Sequence, residues 1–250
     1  MTRGLGLAIV GHGKVGRLIE QLAPEYGFDV RLALNNGTNA RGAGLTRENL
    51  RGVDAAVEFS TASAAVQNIR QLAALGIPVV AGTTGWFQEL ACVREAIQSG
   101  GGALVWSPNF SVGVYRFRQI IAQAASAFAA EREYQAWGWE IHHAMKRDAP
   151  SGTLLALAEE MKQAGFERGI DLGANRAGAH PGTHEIGFDS SADTITIRHT
   201  ARNREGFARG ALRAARWIVG KHGVFEFREI VNELGSVQQD FGSYGSKAEG

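Results

Sequence analysis

The chain has 250 residues, of which 44% are hydrophobic and 20% are charged, and its formal net charge is +1. These values describe an ordinary globular protein of one large or two modest domains. The low net charge and the absence of a basic run argue against nonspecific nucleic-acid binding. The single cysteine, Cys92, excludes an intrachain disulfide and indicates a reducing compartment, and we expect it to fill the core face of a helix.

Neither a membrane segment nor a targeting segment is predicted. Every apolar run is shorter than the ~20 residues that a membrane span needs. Residues 1–5 lead directly into a predicted strand, without the architecture of a signal peptide. We therefore expect a cytoplasmic protein that contacts neither membranes nor nucleic acid.

The first predicted elements are a strand, a glycine-rich turn and a helix. The strand runs from Leu5 to Val10, the turn reads Gly11-His-Gly-Lys-Val-Gly16, and apolar positions at helical spacing follow. A G-x-G-x-x-G turn in this context is the dinucleotide-binding fingerprint. Gly11 permits the tight turn, Gly13 lets a pyrophosphate approach the backbone, and Gly16 allows close contact between helix and strand. A plain tight turn is the alternative interpretation.

The second predicted strand, Phe28 to Leu34, ends where an acidic residue usually binds the ribose 2′-hydroxyl of the cofactor. This chain has Asn35 and Asn36 there, and an amide neither requires a free 2′-hydroxyl nor repels a 2′-phosphate. Arg41 is placed either to pair with such a phosphate or to lie solvated in the loop. The choice between NADPH and NADH is therefore open.

Three further strands alternate with helices, which predicts a mostly parallel sheet. They are Asp54–Phe59, Ile77–Ala81 and Ala103–Trp106, and helices follow the first two. In such a sheet the residues just beyond the strand ends lie over the cofactor. The residues at these ends are Ser60, Gly82, Thr83, Thr84, Asn109 and Phe110. For Ser60 the alternative is simple helix capping, and for Gly82 to Thr84 it is an ordinary turn.

The segment 107–113 breaks the alternation and predicts a crossing into a second domain. A long helix follows at about 114–130, and then strands at 134–141, 183–188 and 194–201 and a glycine-rich stretch at 165–182. Helices at 207–219 and 225–234 return to the first domain. The predicted fold is α/β, with a Rossmann-type, mostly parallel sheet with helices on both faces and a second α+β domain with a largely antiparallel sheet. The predicted domains are 1–110 with 205–250, and 111–204.

Residues 140–153, Glu-Ile-His-His-Ala-Met-Lys-Arg-Asp-Ala-Pro-Ser-Gly-Thr, carry the chemistry of the second domain. His142 and His143 end a strand and share one site only if the strand ends there. Ser151 is the predicted N-cap of a helix, whose unpaired amides attract a carboxylate. Lys146 adds a positive charge. A strand-end histidine is more often structural, but the combination favours a proton donor beside a carboxylate-binding corner.

These residues resemble one family, the dihydrodipicolinate reductases of lysine and diaminopimelate biosynthesis. The segment at 140–153 is similar to the family motif His-His-x-x-Lys-x-Asp-x-Pro-Ser-Gly-Thr. Other matching segments occur in order along nearly the whole chain: Gly11–Gly16, Gly82–Gly85, Pro108–Gly113, Arg176–Gly178, Pro181–Phe188, His199–Ala201 and Phe207–Ala211. Single motifs of this length arise by chance, whereas the ordered set is specific.

The resemblance implies a function and roles for the site residues. The substrate would be the cyclic dicarboxylate 4-hydroxy-tetrahydrodipicolinate, reduced by NADPH or NADH to tetrahydrodipicolinate in a homotetramer built through the second domain's sheet. His142 and Lys146 would be catalytic, and no metal is expected. Substrate would contact Thr84, His143, Lys146, Ser151, Gly152 and Thr153. Cofactor would contact Gly11, Gly13, Lys14, Val15, Asn35, Ser60, Gly82, Thr83, Thr84, Asn109 and Phe110.

Two other functions stay open at this point. A different two-domain nicotinamide dehydrogenase, for amino acids or aldehydes, would explain the first domain but not the histidine–lysine segment. A non-catalytic dinucleotide-sensing protein would keep the glycine turn but has no need of His142. Because the glycine turn and the histidines lie on different predicted domains, we also expect domain closure.

Overall fold

The computed structural model of the protein describes residues 4–235, which fall into two compact units. One unit contains the residues up to Ser111 together with those from Glu205, and the other is Val112–Arg204. Residues 1–3 and 236–250, which belong to the predicted first domain, lie outside the described residues. Between residues 4 and 235, no helix combines the length and the apolar character that crossing a membrane requires.

Ten strands and seven α-helices are found within residues 4–235. The strands are β1 (Leu5–Val10), β2 (Phe28–Leu34), β3 (Ala55–Glu58), β4 (Val79–Ala81), β5 (Ala103–Trp106), β6 (Gln135–His142), β7 (Ile170–Arg176), β8 (Thr183–Asp189), β9 (Thr194–Thr200) and β10 (Gly223–Glu226). The α-helices are α1 (Lys14–Leu22), α2 (Ala62–Ala74), α3 (Leu90–Ser99), α4 (Val112–Phe128), α5 (Gly152–Gln163), α6 (Glu205–Ile218) and α7 (Phe227–Ile230).

The first unit is built on a six-stranded parallel sheet in the order β10-β5-β4-β3-β1-β2. Every residue of β3 and β4 is buried, as expected for strands covered on both faces. Apolar side chains of α2 and α3 pack against one face, while α6 returns from the end of the chain to pack against β3 and β4. The predicted Rossmann-type architecture is confirmed.

Strand order reverses at β1, which has β2 on one side and β3 on the other. In open parallel sheets, ligands bind beyond the carboxyl ends of the strands at such a reversal. The turn at residues 11–16 follows β1 directly, so the fold places the glycine fingerprint at this point.

Our prediction for the end of the first unit was wrong in one element. We expected one helix over 225–234, but residues 223–226 form β10, paired in parallel with β5, and only the short α7 follows. The apolar run Val224-Phe225 has no periodicity that separates strand from helix. Pairing with β5 makes this run a strand, because β5 has an unpaired edge there. The ring of Phe225 also packs edge-on against Trp217, with centroids 5.1 Å apart.

The second unit contains a four-stranded sheet in the order β7-β6-β8-β9, backed by α4 and α5. β6 and β8 are antiparallel, as are β8 and β9. Side chains such as Phe117 and Ile121 of α4 and Leu157 of α5 form a core with Ile186 and Phe188 of β8. The predicted α+β unit with a largely antiparallel sheet is confirmed.

One strand of this sheet was missed. The glycine-rich stretch 165–182 contains β7, which pairs in parallel with β6. Its alternation of half-buried and exposed residues is regular, but Asp171, Gly173 and Asn175 are poor strand formers and hid the pattern.

Cys92 does not fill the core, and that expectation was wrong. It is exposed on α3. Val93 and Ile97, one helical turn apart, face inward and are buried. Cys92 precedes Val93 by one residue and therefore points about 100° away from the buried stripe.

Candidate active site

The glycine turn after β1 has the geometry that a dinucleotide requires. Gly11 has φ +101°, and a side chain there would collide with the backbone of Phe59 and Ser60. A side chain at Gly16 would collide with the backbone of Gly11. At Gly13, by contrast, a Cβ would meet nothing within 4 Å. Internal packing explains the first two glycines, whereas Gly13 leaves open space for an outside group such as a pyrophosphate.

Helix α1 begins at this open space. Gly13 is its N-cap, and Arg17 N donates the first helical bond to Gly13 O at 3.1 Å. The preceding amides, those of Lys14 and Val15, are first-turn groups with no intrahelical acceptor. They provide the donors and the positive dipole end that bind phosphate. The turn therefore fits a dinucleotide.

The loop after β2 explains the asparagine found where an acid was expected. The Oδ1 of Asn35 accepts the N–H groups of Gly37 (2.8 Å) and Thr38 (3.1 Å), so this side chain shapes the turn. Arg41 is exposed, has φ +50°, and its carbonyl accepts a hydrogen bond from Gln67 Nε2 at 2.7 Å. The loop is thus attached to α2.

A buried carboxyl group lies at the end of β3. Glu58 is fully buried and accepts hydrogen bonds from the backbone and the hydroxyl of Ser60 and from Asn68 Nδ2, 3.2 Å away. Burial raises the pKa of Glu58, and hydrogen bonds from Ser60, Thr83 and Asn68 oppose this rise only in part. Ser60 thus contacts Glu58, and the N-cap of α2 is Thr61, whose side chain makes no capping bond.

The ends of β4 and β5 hold the remaining predicted cofactor residues. A side chain at Gly82 would collide with the ring of Phe59. Thr83 is buried and Thr84 exposed. Asn109 Oδ1 accepts Ser111 N at 2.8 Å and so shapes its own loop. Phe110 is buried, with its ring 6.0 Å from that of Phe59 and 4.8 Å from that of Phe227. It belongs to the core beneath this edge of the sheet.

In the second unit, β6 ends at His142, which is the condition set above for a shared site. Ala136, Gly138 and Glu140 occupy the buried phase of the strand. His142 continues that phase at the end of the strand, with a side chain 12% exposed. Alternation therefore puts His142 on the same side as the fully buried Glu140.

Glu140 is the centre of the cluster. Its Oε1 accepts Ser151 N (2.8 Å) and Arg176 Nη2 (2.7 Å). Its Oε2 accepts the Ser151 hydroxyl, and it lies 3.2 Å from His184 Nε2 and 3.6 Å from His142 Nδ1. Burial alone would raise the pKa of Glu140, but the bonds from Ser151 and Arg176 outweigh it and hold the pKa below its usual value.

The two histidines beside Glu140 are both shifted toward the neutral form. Burial lowers the pKa of His142; the charge of Glu140 opposes this, and those of Lys146 and Arg176 add to it. Burial, reinforced by His142, lowers the pKa of His184 to about 4. The rings of His142 and His184 meet edge to face with centroids 5.1 Å apart. His184 therefore acts as a neutral hydrogen-bonding group at neutral pH.

Lys146 lies in the turn after β6, and His143 is half-buried beside it. Lys146 Nζ contacts both carboxylate oxygens of Asp148, at 2.7 and 2.9 Å. This contact lowers the pKa of Asp148, and the backbone of Gly152 contributes in the same direction. The lysine that was predicted to bind a substrate carboxylate thus already binds one, that of the exposed Asp148 in the same turn.

Ser151 is the N-cap of α5, as predicted, and its hydroxyl accepts Leu154 N at 3.3 Å. It is also buried, and both its N–H and its O–H donate to Glu140. Gly152 is exposed with open space around it, and Thr153 is half-buried. Of the three residues predicted to hold a carboxylate, Gly152 and Thr153 are the accessible ones.

Sequence reasoning assigned no role to Glu140, Arg176 or His184, although all three lie in motifs that carried the resemblance. The signal was present for Glu140, since a carboxylate in the buried phase of a strand needs partners. Arg176 and His184 come from β7 and β8, and only the strand pairing brings them to β6.

Glu140, His142 and His184 also have ligand-type atoms within 4.8 Å of one another, a spacing that can hold a metal ion. Arg176 and Ser151 already donate to both oxygens of Glu140. A divalent cation would have to displace these donors and lie beside a guanidinium. The same contacts suit a hydrogen-bonded charge cluster without that cost.

A parallel sheet with a dinucleotide turn, in one chain with a histidine–carboxylate cluster, is typical of a nicotinamide-dependent oxidoreductase. Comparison with known proteins identifies which one. Residues 5–110 match the family model described as "Dihydrodipicolinate reductase, N-terminus", and residues 113–231 match the corresponding C-terminus. The chain belongs to the dihydrodipicolinate reductase family.

Individual relatives agree. The chain is 33% identical over 241 residues to the 4-hydroxy-tetrahydrodipicolinate reductase of Christiangramia forsetii, covering 92% of this chain and 99% of the relative. It is 35% identical over 255 residues to that of Archaeoglobus fulgidus, covering 88% and 96%. A dipicolinate-bound dihydrodipicolinate reductase from Paenisporosarcina sp. TG-14 shares the fold, with a TM-score of 0.74 at 18% identity, covering 92% and 99%.

Family membership confirms the function predicted from the motifs. The chain is an NAD(P)H-dependent reductase of lysine and diaminopimelate biosynthesis. This assignment stands against the two alternatives left open by the sequence, a different dehydrogenase and a non-catalytic sensor.

Proposed function

We propose that the chain reduces 4-hydroxy-tetrahydrodipicolinate to tetrahydrodipicolinate, with His142 as the proton donor. The observation that carries this proposal is the position of His142 at the open end of β6, between the buried Glu140 and the Lys146 turn. In this proposal the first unit binds the dinucleotide and the second binds substrate and forms the oligomer. When bound, the nicotinamide supplies the hydride.

His142 neutralises the charge that hydride addition leaves on the ring of the conjugated imine. Its pKa is lowered by burial, so most of the free enzyme has a neutral imidazole at neutral pH. A dianionic substrate beside the ring favours the protonated form. Substrate binding therefore loads the donor with its proton, and solvent restores that proton after transfer. Lys146 assists the step as a fixed positive charge.

The carboxylates of the substrate are proposed to bind at the Lys146 turn and the start of α5. Gly152 and Thr153 offer the helix terminus, while His143 and Lys146 add a donor and a charge. Ser151 is proposed to act indirectly. Its bonds to Glu140 fix where α5 begins. Asp148 must release Lys146 when a substrate carboxylate takes its place. From the first unit, Thr84 is a further proposed substrate contact.

The proposed cofactor contacts follow the carboxyl edge of the first sheet. They are Gly11, Gly13, Lys14, Val15, Asn35, Ser60, Gly82, Thr83, Thr84, Asn109 and Phe110. Gly13 and the amides of Lys14 and Val15 have the best support, from the open space and the helix start. Ser60, Asn109 and Phe110 also have partners within the chain, so their proposed contacts with cofactor come from groups that shape the same loops.

A homotetramer formed through the second unit's sheet is also proposed. The face turned away from the α4–α5 core carries Trp137 and Trp139, which lie across from Gly187 and Gly173 on the neighbouring strands. The two half-buried indoles lie over these glycines, and Asp171, Glu185 and Arg198 border them on the same face, so a second copy would cover an aromatic patch with a charged rim. Light scattering of the purified protein measures this oligomeric state.

A cytoplasmic location is proposed from the single cysteine and the biosynthetic reaction.

The central experiment follows NADPH and NADH oxidation separately, using substrate generated by the preceding synthase. We expect turnover with at least one cofactor. His142→Gln should lower kcat by about 10²- to 10⁴-fold, the range for loss of a general acid, with KM nearly unchanged. His222→Gln, an exposed histidine of the first unit, is the control and should behave like wild type.

Other outcomes reassign the site. An equal loss of affinity and turnover in His142→Gln would make His142 a binding residue. Turnover of amino acids or aldehydes in place of the dicarboxylate would support the alternative dehydrogenase. Dinucleotide binding without turnover of any of these substrates would support the sensor.

A further inference from the structure

The environment of His142 differs at its two ring nitrogens. The Nδ1 is buried and makes no hydrogen bond to any residue between 4 and 235, and it lies 3.6 Å from Glu140 Oε2. The Nε2 lies beside Gly182, where a Cβ would come within 2.9 Å of it. Gly182 has φ +132°, which favours glycine, so backbone and space both keep this position without a side chain. One nitrogen faces a carboxylate, and the other lies against Gly182, a position without a side chain.

The carboxylate that faces Nδ1 is held from several sides. Ser151 and Arg176 bind Oε1, while the Ser151 hydroxyl and His184 Nε2 lie at Oε2. These donors come from the start of α5, from β7 and from β8, and Glu140 itself is fully buried. His142 Nδ1 lies 3.6 Å from the same Oε2, beside these two groups. The carboxylate is therefore placed before His142 takes up a proton.

Charged and titratable groups reach His142 from every element packed around it. Glu140 lies on its own strand, Lys146 and Asp148 in the following turn, Arg176 on β7 and His184 on β8. Lys146 and Arg176 disfavour the imidazolium, but each is paired with a carboxylate, Asp148 and Glu140 respectively. Glu140 is the buried anion of this set and so acts in the least screened environment.

From this geometry we infer that Glu140 is a positioning residue for the proton donor. It fixes the proton of Nδ1 on the side of Oε2, so that the transferable proton is carried by Nε2, and His184 and Ser151 fix Glu140 in turn. The inference rests on the proposed role of His142. The separation of 3.6 Å shortens to a hydrogen bond once His142 is protonated, as catalytic contacts often do when the reacting state forms.

The proton balance of the step is simple. The imidazolium of His142 carries a proton on each nitrogen. The Nε2–H bond breaks as the proton passes to the substrate, and the Nδ1–H bond to Glu140 is kept. His142 is left as the neutral Nδ1–H tautomer, and solvent returns a proton to Nε2. Without Glu140 the neutral ring is free to hold its proton on Nε2 with Nδ1 bare.

The test is Glu140→Gln in the full-length protein, since Gln keeps the size of the side chain and loses the charge. We expect kcat to fall at least 30-fold with KM within threefold of wild type. The alkaline limb of kcat/KM should move to lower pH, because the charge of Glu140 raises the pKa of His142 in the wild type. ¹⁵N shifts of His142 near pH 8 should change from the Nδ1–H to the Nε2–H tautomer.

Glu160→Gln is the matched control. Glu160 lies on α5 in the same unit and is also paired with an arginine, Arg118, at 2.9 Å, but it has no contact with His142. It should lower stability slightly and leave the pH profile and the tautomer unchanged. If Glu140→Gln keeps the wild-type tautomer and pH profile and loses activity only with melting, Glu140 is merely structural and the inference is overturned.

The outcomes also separate this inference from the proposed function. An inactive His142→Gln beside a fully active Glu140→Gln overturns the positioning role alone. A fully active His142→Gln would overturn both the assignment of His142 as proton donor and the positioning role of Glu140. Loss of activity on chelation with EDTA, restored by zinc, would instead assign Glu140, His142 and His184 to a metal ion and overturn the inference.

Discussion

Within residues 4–235, each unit contains one fully buried glutamate near the end of a central strand, and the two behave oppositely. Glu58 on β3 has a raised pKa, and Glu140 on β6 has a lowered one. Both are completely buried, and both accept bonds from a serine backbone and hydroxyl. The difference is Arg176, which binds Glu140 at 2.7 Å, whereas the partners of Glu58 are neutral.

The comparison shows that burial alone does not decide the charge of a carboxyl group. Neutral hydrogen bonds offset part of the desolvation cost, and a charge-assisted bond offsets more. The first unit keeps a carboxyl that favours the proton and ties Ser60 to Asn68 beneath the cofactor edge. The second unit keeps a carboxylate that can stabilise an imidazolium. Each predicted site thus rests on a buried acid, held in the protonation state that its neighbours impose.

Replacing Arg176 should have the largest effect on stability. Glu140 would then have only neutral partners, as Glu58 has. Arg176→Met leaves Glu140 buried with neutral partners, which costs about 3–5 kcal/mol for a broken buried pair. The melting temperature at pH 8 should therefore fall by roughly 6–20 °C, at ~2–4 °C per kcal/mol for a chain of this size. Differential scanning fluorimetry measures the shift.

Two further variants check the cause of that loss. Arg118→Met breaks the more exposed pair with Glu160 and should cost clearly less. The double variant Arg176→Met with Glu140→Gln should recover part of the stability, because no buried charge is left unpaired. Equal losses from both arginines, or no recovery in the double variant, would mean that Arg176 acts through its other contacts.

His184 should make the second unit sensitive to acid. Its pKa is about 4 in the folded state against ~6.5 unfolded, so the unfolded chain binds the proton first. The stability it contributes is present above pH 6.5 and is lost as pH falls toward 4. Between pH 7.5 and 5.0 this amounts to roughly 2 kcal/mol, or about 4–8 °C.

His184→Gln isolates this contribution, since Gln keeps a donor toward Glu140 and does not titrate. The drop in melting temperature from pH 7.5 to 5.0 should be smaller in this variant by that amount. The same acid sensitivity in variant and wild type would mean that other groups carry it.

Neutralising Glu58 should give the smallest change, and with the opposite sign. Its folded pKa is raised, so the stability it contributes is complete below pH 4.5 and is lost as pH rises through the folded pKa. Glu58→Gln should therefore raise the melting temperature at pH 8 by about 2–4 °C, corresponding to ~1 kcal/mol, and should not raise it at pH 4.5. A marked fall at pH 8 would place Glu58 with Glu140 as an ionised, stabilised carboxylate.

The sequence alone determined much of this protein. Local pattern sufficed for β1, the glycine turn and α1, because strand, turn and helix are contiguous and the spacing of the glycines is specific. It also sufficed for the Ser151 cap and for the end of β6 at His142. Where the pattern was weak, as in β7 and β10, pairing with a distant strand decided the structure.

Only the tertiary structure decided what surrounds the proton donor. Glu140 is two residues from His142, but Ser151, Arg176 and His184 reach it through a helix start and two neighbouring strands. A charge and its pKa depend on distances of 3–4 Å between groups far apart in sequence, and no local periodicity records those distances. His142, Lys146 and Ser151 were readable from the chain, whereas the roles of Glu140, Arg176 and His184 and the protonation of the cluster required the folded sheet.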